Sequence, residues 1–173
     1  YLERDESGSI AQQNNHAKIT AQFFEKNESA STAEQNNKAR IASLSKLLPA
    51  PVFINSVIQP LSHIHPGFIR INGWPGFLKM PLVEAAAASP DTGKKAEEIF
   101  GHQIRLVKDI PGLVTPRIIS MIINEARITF SAGTSTREEI DTAMTLGTGY
   151  PFGPFEWEER IGAKRIRKIV DGI

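Results

Sequence analysis

Most of the candidate catalytic and ligand-binding side chains lie between positions 54 and 84. His63 and His65 are two residues apart, a spacing that suits either a metal ion or a catalytic base. The competing interpretation, which we favour, is a solvated loop before Pro66. Glu84 is a carboxylate within an apolar run and is either a catalytic group or a partner in a structural ion pair or hydrogen bond.

A turn from Asn72 to Gly76, rich in glycine and proline, supplies a second set of candidates. Asn72 either contacts a ligand or has a structural role. Trp74 either stacks on a flat ligand or packs in the core. The sequence contains no nucleophile–base pairing, zinc signature or P-loop, so we expect no metal site.

Composition restricts the possible partners and location. The 173 residues include 20 basic and 19 acidic side chains, a net charge of +1, which argues against a nucleic-acid-binding surface. There is no cysteine, which excludes disulfides and thiolate metal sites and fits a reducing cytoplasm. No apolar run reaches the roughly 18 residues of a membrane span, and no charged-then-apolar leader follows Tyr1. We expect a cytoplasmic protein without membrane segments.

Residues 1–48 are rich in Gln, Asn, Ser, Ala and Lys, and we interpret them as two polar surface helices. The stretch 11–19 resembles 33–41, which we take as coincidence because a true duplication normally needs further copies to stack. Four apolar residues predict the buried stripe of a helix that ends before Pro49. They are Ile41, Leu44, Leu47 and Leu48.

From Pro51 onward the pattern predicts an α/β unit. Short apolar runs bounded by proline, glycine or asparagine are typical of strands, and Ser89-Pro90-Asp91 predicts the start of a helix to about Gly101. Strands that alternate with a helix indicate α/β structure. The strands are expected at Val52–Ile54, Phe68–Ile71, Leu82–Ala85 and Gln103–Lys108.

After Pro111-Gly112 the sequence predicts helices. The first covers residues 117–130 and is apolar on more than one face, which indicates burial in a core or a subunit interface. Ser135 and Glu138 have capping-box spacing and predict a second helix that reaches Gly147. A turn rich in glycine and proline then leads to a third helix around residues 155–160 and a short basic tail.

Four segments resemble, in order and in register, the C-terminal half of 3-hydroxyacyl-CoA dehydrogenases. Lys108–Ile118 is similar to that family's strand-to-helix junction, Asn124-Glu125-Ala126 to its NEA, Glu138–Met144 to its ID.AM helix and Leu146–Glu156 to its G.GYPMGPFEL turn. The resemblance implies a truncated or degenerate Rossmann-like α/β region over residues 1–108. It also implies an all-α C-terminal domain over 109–173, a helical bundle like that of 6-phosphogluconate dehydrogenase.

The resemblance also implies two catalytic positions. Pro81-Leu82-Val83-Glu84 is similar to the family's LVE segment, and the family's histidine lies twelve residues before that glutamate, where this chain has Asn72. In the family the histidine takes the hydroxyl proton and the glutamate orients it. A neutral amide cannot accept a proton near pH 7 as imidazole does, so we expect impaired proton transfer.

The family's substrate contacts are also partly replaced. Its SNTS strand end reads Ile54-Asn55-Ser56-Val57, which places Val57 at the second serine, and its NR reads Pro116-Arg117. For an acyl-CoA ligand we expect contacts from the residues that remain at or near these positions. They are Asn55, Ser56, Trp74 and Arg117.

The cofactor that the resemblance implies is NAD, which the family binds on a strand followed by G-x-G-x-x-G. Only Gly8 precedes Gly67, so this sequence has no such loop. The stretch before Val52 is also shorter than the family's nucleotide domain. We therefore expect no measurable NAD binding by this chain, whether a segment precedes it or has been lost.

The expected function is that of the family in fatty-acid metabolism, nominally the NAD-dependent oxidation of 3-hydroxyacyl-CoA to 3-ketoacyl-CoA. The alternative is a non-catalytic acyl-CoA-binding or dimeric scaffold protein. We further expect a homodimer through the C-terminal helices, because a domain of this size has too little interior to cover the first of them. Ile122 is expected at the core of that contact, and small residues such as Ala126 would allow close helix packing.

Overall fold

The computed structural model describes residues 3–4, 10–14, 17–23, 30–100 and 103–172. The chain divides into two compact units between Leu113 and Val114. In the part of the chain that the structure describes, the first unit contains the sheet, and the regular elements of the second are all helices. Within the described ranges, no helix combines the length and apolarity needed to cross a membrane.

Across the described residues of the first unit, seven strands form one sheet in the order β1 to β7. The β1–β2 and β2–β3 pairs are antiparallel, β3, β4 and β5 are parallel, β6 is antiparallel to β5, and β7 is parallel to β6. The strands are β1 (Glu3–Arg4), β2 (Ile10–Asn14), β3 (Ala17–Phe23), β4 (Phe53–Asn55), β5 (Ile69–Ile71), β6 (Leu82–Ala86) and β7 (Gln103–Leu106).

The N-terminal region corrects one prediction. Helix α1 (Ala30–Ser45) is present, but β2 and β3 occupy positions 10–14 and 17–23, where we expected a polar helix. The reason is visible in the segment Ile19-Thr20-Ala21-Gln22-Phe23, in which apolar and polar residues alternate. That period of two fits a strand and not a helix. The similarity of 11–19 to 33–41 therefore does not reflect a repeated structural unit.

Two apolar clusters cover the two faces of the sheet, because successive side chains of a strand point to opposite faces. One cluster includes Ala96 of α2 (Pro90–Phe100), and the other includes Leu44 of α1. The first consists of Phe53, Ile69, Ile71, Val83, Ala85 and Ala96. The second consists of Leu44, Val52, Ile54, Leu61 and Phe68, with Ile41, Leu47 and Leu48 packed against it. In this unit, the strands predicted between residues 52 and 108 are confirmed as β4 to β7. The helix predicted before Pro49 and the helix predicted from Pro90 are confirmed as α1 and α2.

The second unit contains four helices within the described residues. They are α3 (Thr115–Ser131), α4 (Arg137–Thr148), α5 (Pro154–Ile161) and α6 (Ala163–Val170). Ala126, Ile140 and Phe155 form a buried cluster between α3, α4 and α5. The three predicted helices and the basic tail are confirmed, the tail as a helix.

The start of α4 lies one residue later than the sequence suggested. Thr136, not Ser135, is the N-cap: its side chain accepts a hydrogen bond from Glu139 N at 3.2 Å, and Glu139 Oε2 accepts one from Thr136 N at 3.0 Å. Ser135 instead donates to the same Glu139 carboxylate at 2.7 Å. Two overlapping S/T-x-x-E patterns exist here, and the predicted one was wrong because spacing alone does not choose between them.

Asp141 connects α4 to the start of α5. Its carboxylate accepts hydrogen bonds from Phe155 N at 2.8 Å and Glu156 N at 3.1 Å, and so satisfies two free amides of that helix. A Cβ on Gly153 would lie 2.3 Å from Asp141 Cγ, which explains why glycine stands at this position. The segments that resemble ID.AM and GPFE thus form a single capping arrangement.

Candidate functional site at Asn72 and Glu84

Asn72 and Glu84 lie opposite each other at the end of the β5–β6 pair. The register aligns Arg70 with Ala86 and Ile71 with Ala85, and Asn72 N donates to Glu84 O at 3.0 Å one position further on. Alternation then places the Asn72 and Glu84 side chains on the same sheet face, with Cβ atoms roughly 5 Å apart as in other cross-strand pairs. The structure therefore brings together the two positions predicted as catalytic.

The Asn72 side chain is buried, with 2% of its surface exposed. Its Oδ1 accepts a hydrogen bond from Trp74 N at 3.2 Å. Asn72 thus holds the following turn, but its side-chain amide has no group that could take up a proton near neutral pH.

Asn55, at the end of β4, fixes the next residue of that turn. Asn55 Nδ2 donates to Gly73 O at 3.2 Å, and Gly73 N donates to Asn55 Oδ1 at 3.0 Å. A Cβ on Gly73 would lie 2.5 Å from Asn55 Cγ, so only glycine allows this approach. Asn55 therefore acts on the site through the backbone that carries Asn72.

The other predicted contacts in the sheet unit have local structural roles. Ser56 is buried, and its Oγ donates to Gln59 O at 3.0 Å. Trp74 is 3% exposed, which favours the packing interpretation, and its Nε1 has no hydrogen-bond partner within the described residues. Val57, at the family's second serine, is buried.

Arg70 is a residue of this site that the sequence analysis missed. Its side chain is fully buried on β5, two residues before Asn72 and on the same face. The guanidinium donates to the carbonyls of Ser56 and Val57, to Ile110 O at 3.0 Å and to Asp109 Oδ1 at 2.6 Å. The available signal was a charged residue at the centre of the apolar run Phe68-Ile69-Arg70-Ile71.

The Asp109 carboxylate completes this arrangement. Its second oxygen accepts a hydrogen bond from Leu61 N at 2.7 Å, and Gly112 N donates to Val57 O at 2.7 Å. The loops that follow β4 and β7 are therefore tied to one buried guanidinium. This network explains why residues 109–113 belong to the sheet unit.

Arg117 lies in the first turn of α3, in the helical unit, and is half-buried. The same unit contains the groups whose pKa values shift. Burial lowers the pKa of Arg127, and the nearby cations Arg167 and Arg137 lower it further. Glu158 accepts hydrogen bonds from Arg127 and Arg137 and so partly offsets that repulsion.

The histidines give no support for a metal site. His65 Nδ1 accepts a hydrogen bond from Gly67 N at 3.0 Å, and the His65 ring stacks on Phe68 with centroids 4.8 Å apart. His63 is exposed in the same loop. His16 and His102 lie outside the described residues. Among the residues that the structure does describe, no group of His, Cys, Asp and Glu could hold a metal ion.

The residues present do not fit NAD. A parallel strand followed by a helix is the unit that binds a dinucleotide, and β3 followed by α1 has that order. The connecting sequence 24–29 nevertheless contains no glycine, although close approach of the pyrophosphate to backbone amides requires glycine there.

The chain thus combines a unit built on a mixed sheet with a following helical unit. Residues 112–173 match the family model for the 3-hydroxyacyl-CoA dehydrogenase C-terminal domain. The helical unit is therefore similar to the C-terminal domain of that family, as the sequence resemblance suggested.

Two characterised relatives show the extent of the similarity. The 3-hydroxyadipyl-CoA dehydrogenase of Escherichia coli is 33% identical over 99 residues, which cover 55% of this chain and 21% of the relative. The mitochondrial hydroxyacyl-coenzyme A dehydrogenase of Homo sapiens is 43% identical over 99 residues, which cover 54% of this chain and 32% of the relative. The matched region is thus a third or less of these relatives' length.

A solved structure supports the fold over more of the chain. The (S)-3-hydroxybutyryl-CoA dehydrogenase of Ralstonia eutropha superposes with a TM-score of 0.68 at 23% identity, covering 88% of this chain and 56% of that one. This likeness confirms the predicted fold class, an α/β region of Rossmann type followed by a helical domain.

Proposed function

We propose that this chain provides the acyl-CoA side of a 3-hydroxyacyl-CoA dehydrogenase of fatty-acid metabolism. The activity is nominally the NAD-dependent oxidation of 3-hydroxyacyl-CoA to 3-ketoacyl-CoA, and it is impaired in this chain. The observation that carries the proposal is the pairing of Asn72 with Glu84, at the family's two catalytic positions on adjacent strands. The absence of cysteine fits a reducing cytoplasm, which we propose as its compartment.

The impairment has two independent causes. The buried Asn72 amide cannot accept the proton that a histidine would take. The sequence also has no glycine-rich loop to hold the pyrophosphate of NAD. Each cause alone would strongly reduce oxidation of the hydroxyl group, since general-base catalysis contributes about 10²- to 10⁴-fold.

The helical unit supports a homodimer. Along α3 and the residue before it, exposed apolar side chains are spaced four, three and seven residues apart, so they form a stripe along one side of the helix, with the exposed Glu125 before its last member. The stripe consists of Val114, Ile118, Met121 and Ile128. Ile122, which we expected at the core of the contact, is only half-buried and lies beside this stripe. We propose that two copies of α3 pack along the stripe.

Binding and turnover can be tested separately. Titration calorimetry should detect acetoacetyl-CoA and no NAD at micromolar protein concentration. Assays with acetoacetyl-CoA and NADH should show no reduction by the wild type, and Asn72→His alone should not restore it. The base would return without a hydride donor bound nearby, and proximity contributes several kcal/mol to such reactions.

Two results would contradict these expectations. Clear reduction of acetoacetyl-CoA by Asn72→His would show that the chain can use NADH and that the cofactor argument is wrong. Failure of the wild type to bind any acyl-CoA thioester would remove the proposed function itself.

A further inference from the structure

Strand β7 has one edge with which no other described strand pairs. Within the part of the chain that the structure describes, β7 ends the sheet and pairs with β6 alone. Gln103 N donates to Pro81 O at 3.2 Å and Val107 N donates to Ala85 O at 2.9 Å, so these two amides point toward β6. Successive N–H groups of a strand point in opposite directions, so the amide of Ile104 points away from β6, at the open edge.

The Ile104 amide is covered by a side chain of α2. It donates to Glu97 Oε1 at 2.7 Å, a short hydrogen bond to a carboxylate. Ala96, the residue before Glu97, is buried in the apolar cluster against which Ile104 and Leu106 pack. The packing of α2 on the sheet therefore places the Glu97 carboxylate beside the edge of β7.

The hydrogen bond between Glu97 and Ile104 is better explained by protection of the edge than by stability. The bond is exposed to solvent, so water can solvate the Ile104 amide in its place, and the net contribution to folding is small. An open strand edge, in contrast, is a template for pairing with another chain. Any strand added to β7 needs the Ile104 N–H as a donor, and the Glu97 carboxylate competes for it.

We propose that Glu97 closes the edge of β7 against strand addition, and that the strand it excludes is β7 of a second copy of this chain. The sequence of β7 suits antiparallel pairing about a two-fold axis at Ile104. In that register the two Ile104 residues lie opposite each other, and each N–H donates to the other's carbonyl. Arg105 of each copy then lies opposite the neutral Gln103 of the other, so the two arginines do not face each other.

The test compares the association of the full chain with that of three variants, by sedimentation velocity over a range of concentrations. Glu97→Ala uncovers the Ile104 amide, and association beyond the wild-type species should strengthen about tenfold or more. Glu97→Gln removes the charge but keeps an acceptor oxygen, so it should behave like the wild type. Glu98→Ala removes a charge at the neighbouring exposed position and should also match the wild type.

Amide hydrogen exchange locates the contact. Nuclear magnetic resonance of the dilute, isotope-labelled chain should show the Ile104 amide exchanging about tenfold faster in Glu97→Ala than in the wild type. The Val107 amide, which is bonded to Ala85 O, should keep its wild-type rate. Adding Ile104→Pro to Glu97→Ala removes the outward N–H without breaking a bond to β6, and it should abolish the added association.

Several results would overturn the inference. They are unchanged association of Glu97→Ala, equally strong association of Glu98→Ala, and an unchanged exchange rate of the Ile104 amide. Faster exchange of Val107 in Glu97→Ala would also count against it, because the hydrogen bond would then hold β7 in place instead of protecting its edge. Acyl-CoA binding enters none of these measurements, so each result leaves the proposed function untouched.

Discussion

The guanidinium of Arg70 is fully buried, and its Nη1 lies 2.6 Å from Oδ1 of Asp109, whose side chain is 28% exposed. A buried cation without a partner is very unfavourable, so the arginine depends on this carboxylate and on the surrounding carbonyls. Asp109 in turn belongs to the segment that leads out of the sheet unit. The pair therefore connects β5, which leads into the candidate site, to the last residues of the sheet unit.

Replacing Asp109 should destabilise the sheet unit. Asp109→Ala leaves Arg70 buried without its counter-ion and frees Leu61 N, so we expect a loss of about 2–4 kcal/mol in the free energy of unfolding. Urea denaturation measures the change. Glu98→Ala, at an exposed position of α2, is the control and should change stability by less than about 0.5 kcal/mol. Equal stability of the two variants would mean that the Arg70–Asp109 pair does not contribute to the free energy of unfolding.

A methyl group at Gly153 should disturb the cap of α5. Gly153→Ala places a Cβ 2.3 Å from Asp141 Cγ, and Asp141→Ala removes the acceptor of two amides. We expect each to cost about 1–2 kcal/mol in thermal or urea unfolding. Gly147→Ala is the matched control, because a Cβ there meets nothing within 4 Å in a helix. It should be neutral or stabilise by about 0.5 kcal/mol.

Glu139 should make the helical unit sensitive to acid. The hydrogen bond from the Thr136 backbone and those from the Ser135 and Thr136 side chains lower the pKa of Glu139 below the ordinary value of 4.5. A carboxyl whose pKa is lower in the folded state stabilises the fold above its unfolded pKa. That contribution is lost as pH falls through the folded pKa. Wild type should therefore be more stable than Glu139→Gln at pH 7, and urea denaturation should show the difference shrinking below about pH 4.5. A constant difference down to pH 2 would contradict the prediction.

The stripe on α3 predicts the oligomeric state. Sedimentation equilibrium should find a dimer of the wild type at micromolar concentration and a monomer of Ile118→Glu, because a charge would enter the apolar contact. Leu146→Glu is the control: Leu146 is 81% exposed on α4, outside the stripe, and its replacement should leave the dimer intact. A monomeric wild type would end the proposal. We expect Ile122→Glu to have a smaller effect than Ile118→Glu, because Ile122 lies beside the stripe.

The sequence predicted those elements whose pattern is local and strong. The apolar runs at β4, β5 and β6 and the helices α3 and α4 all have clear periodicity and glycine or proline at their ends. The pairing of Asn72 with Glu84 could be anticipated only through the twelve-residue spacing of the family. The alternation in β3 is difficult to detect in the sequence because it is short and lies within the mainly polar residues 1–48.

Other features depend on distant partners and could not be predicted from one sequence. The role of Arg70 requires the carbonyls of two loops and a carboxylate 39 residues away. The engagement of Asn55 with Gly73 joins residues 18 positions apart. Which isoleucines of α3 face outward depends on how α5 and α6 pack against it, since its apolar residues cover more than one face.

The hydrogen bonds between Asn55 and Gly73 also affect the chemical stability of the neighbouring Asn72. An asparagine followed by glycine is prone to spontaneous deamidation, in which the glycine nitrogen attacks the asparagine side-chain carbon and ammonia leaves. Here the nitrogen of Gly73 is held by Asn55 Oδ1, and the side-chain oxygen of Asn72 is held by Trp74 N. Both reacting groups are buried and fixed, so the folded chain protects an intrinsically short-lived pair. Partial unfolding of this turn would expose it, and the resulting carboxylate would be chemically irreversible damage at the position of Asn72.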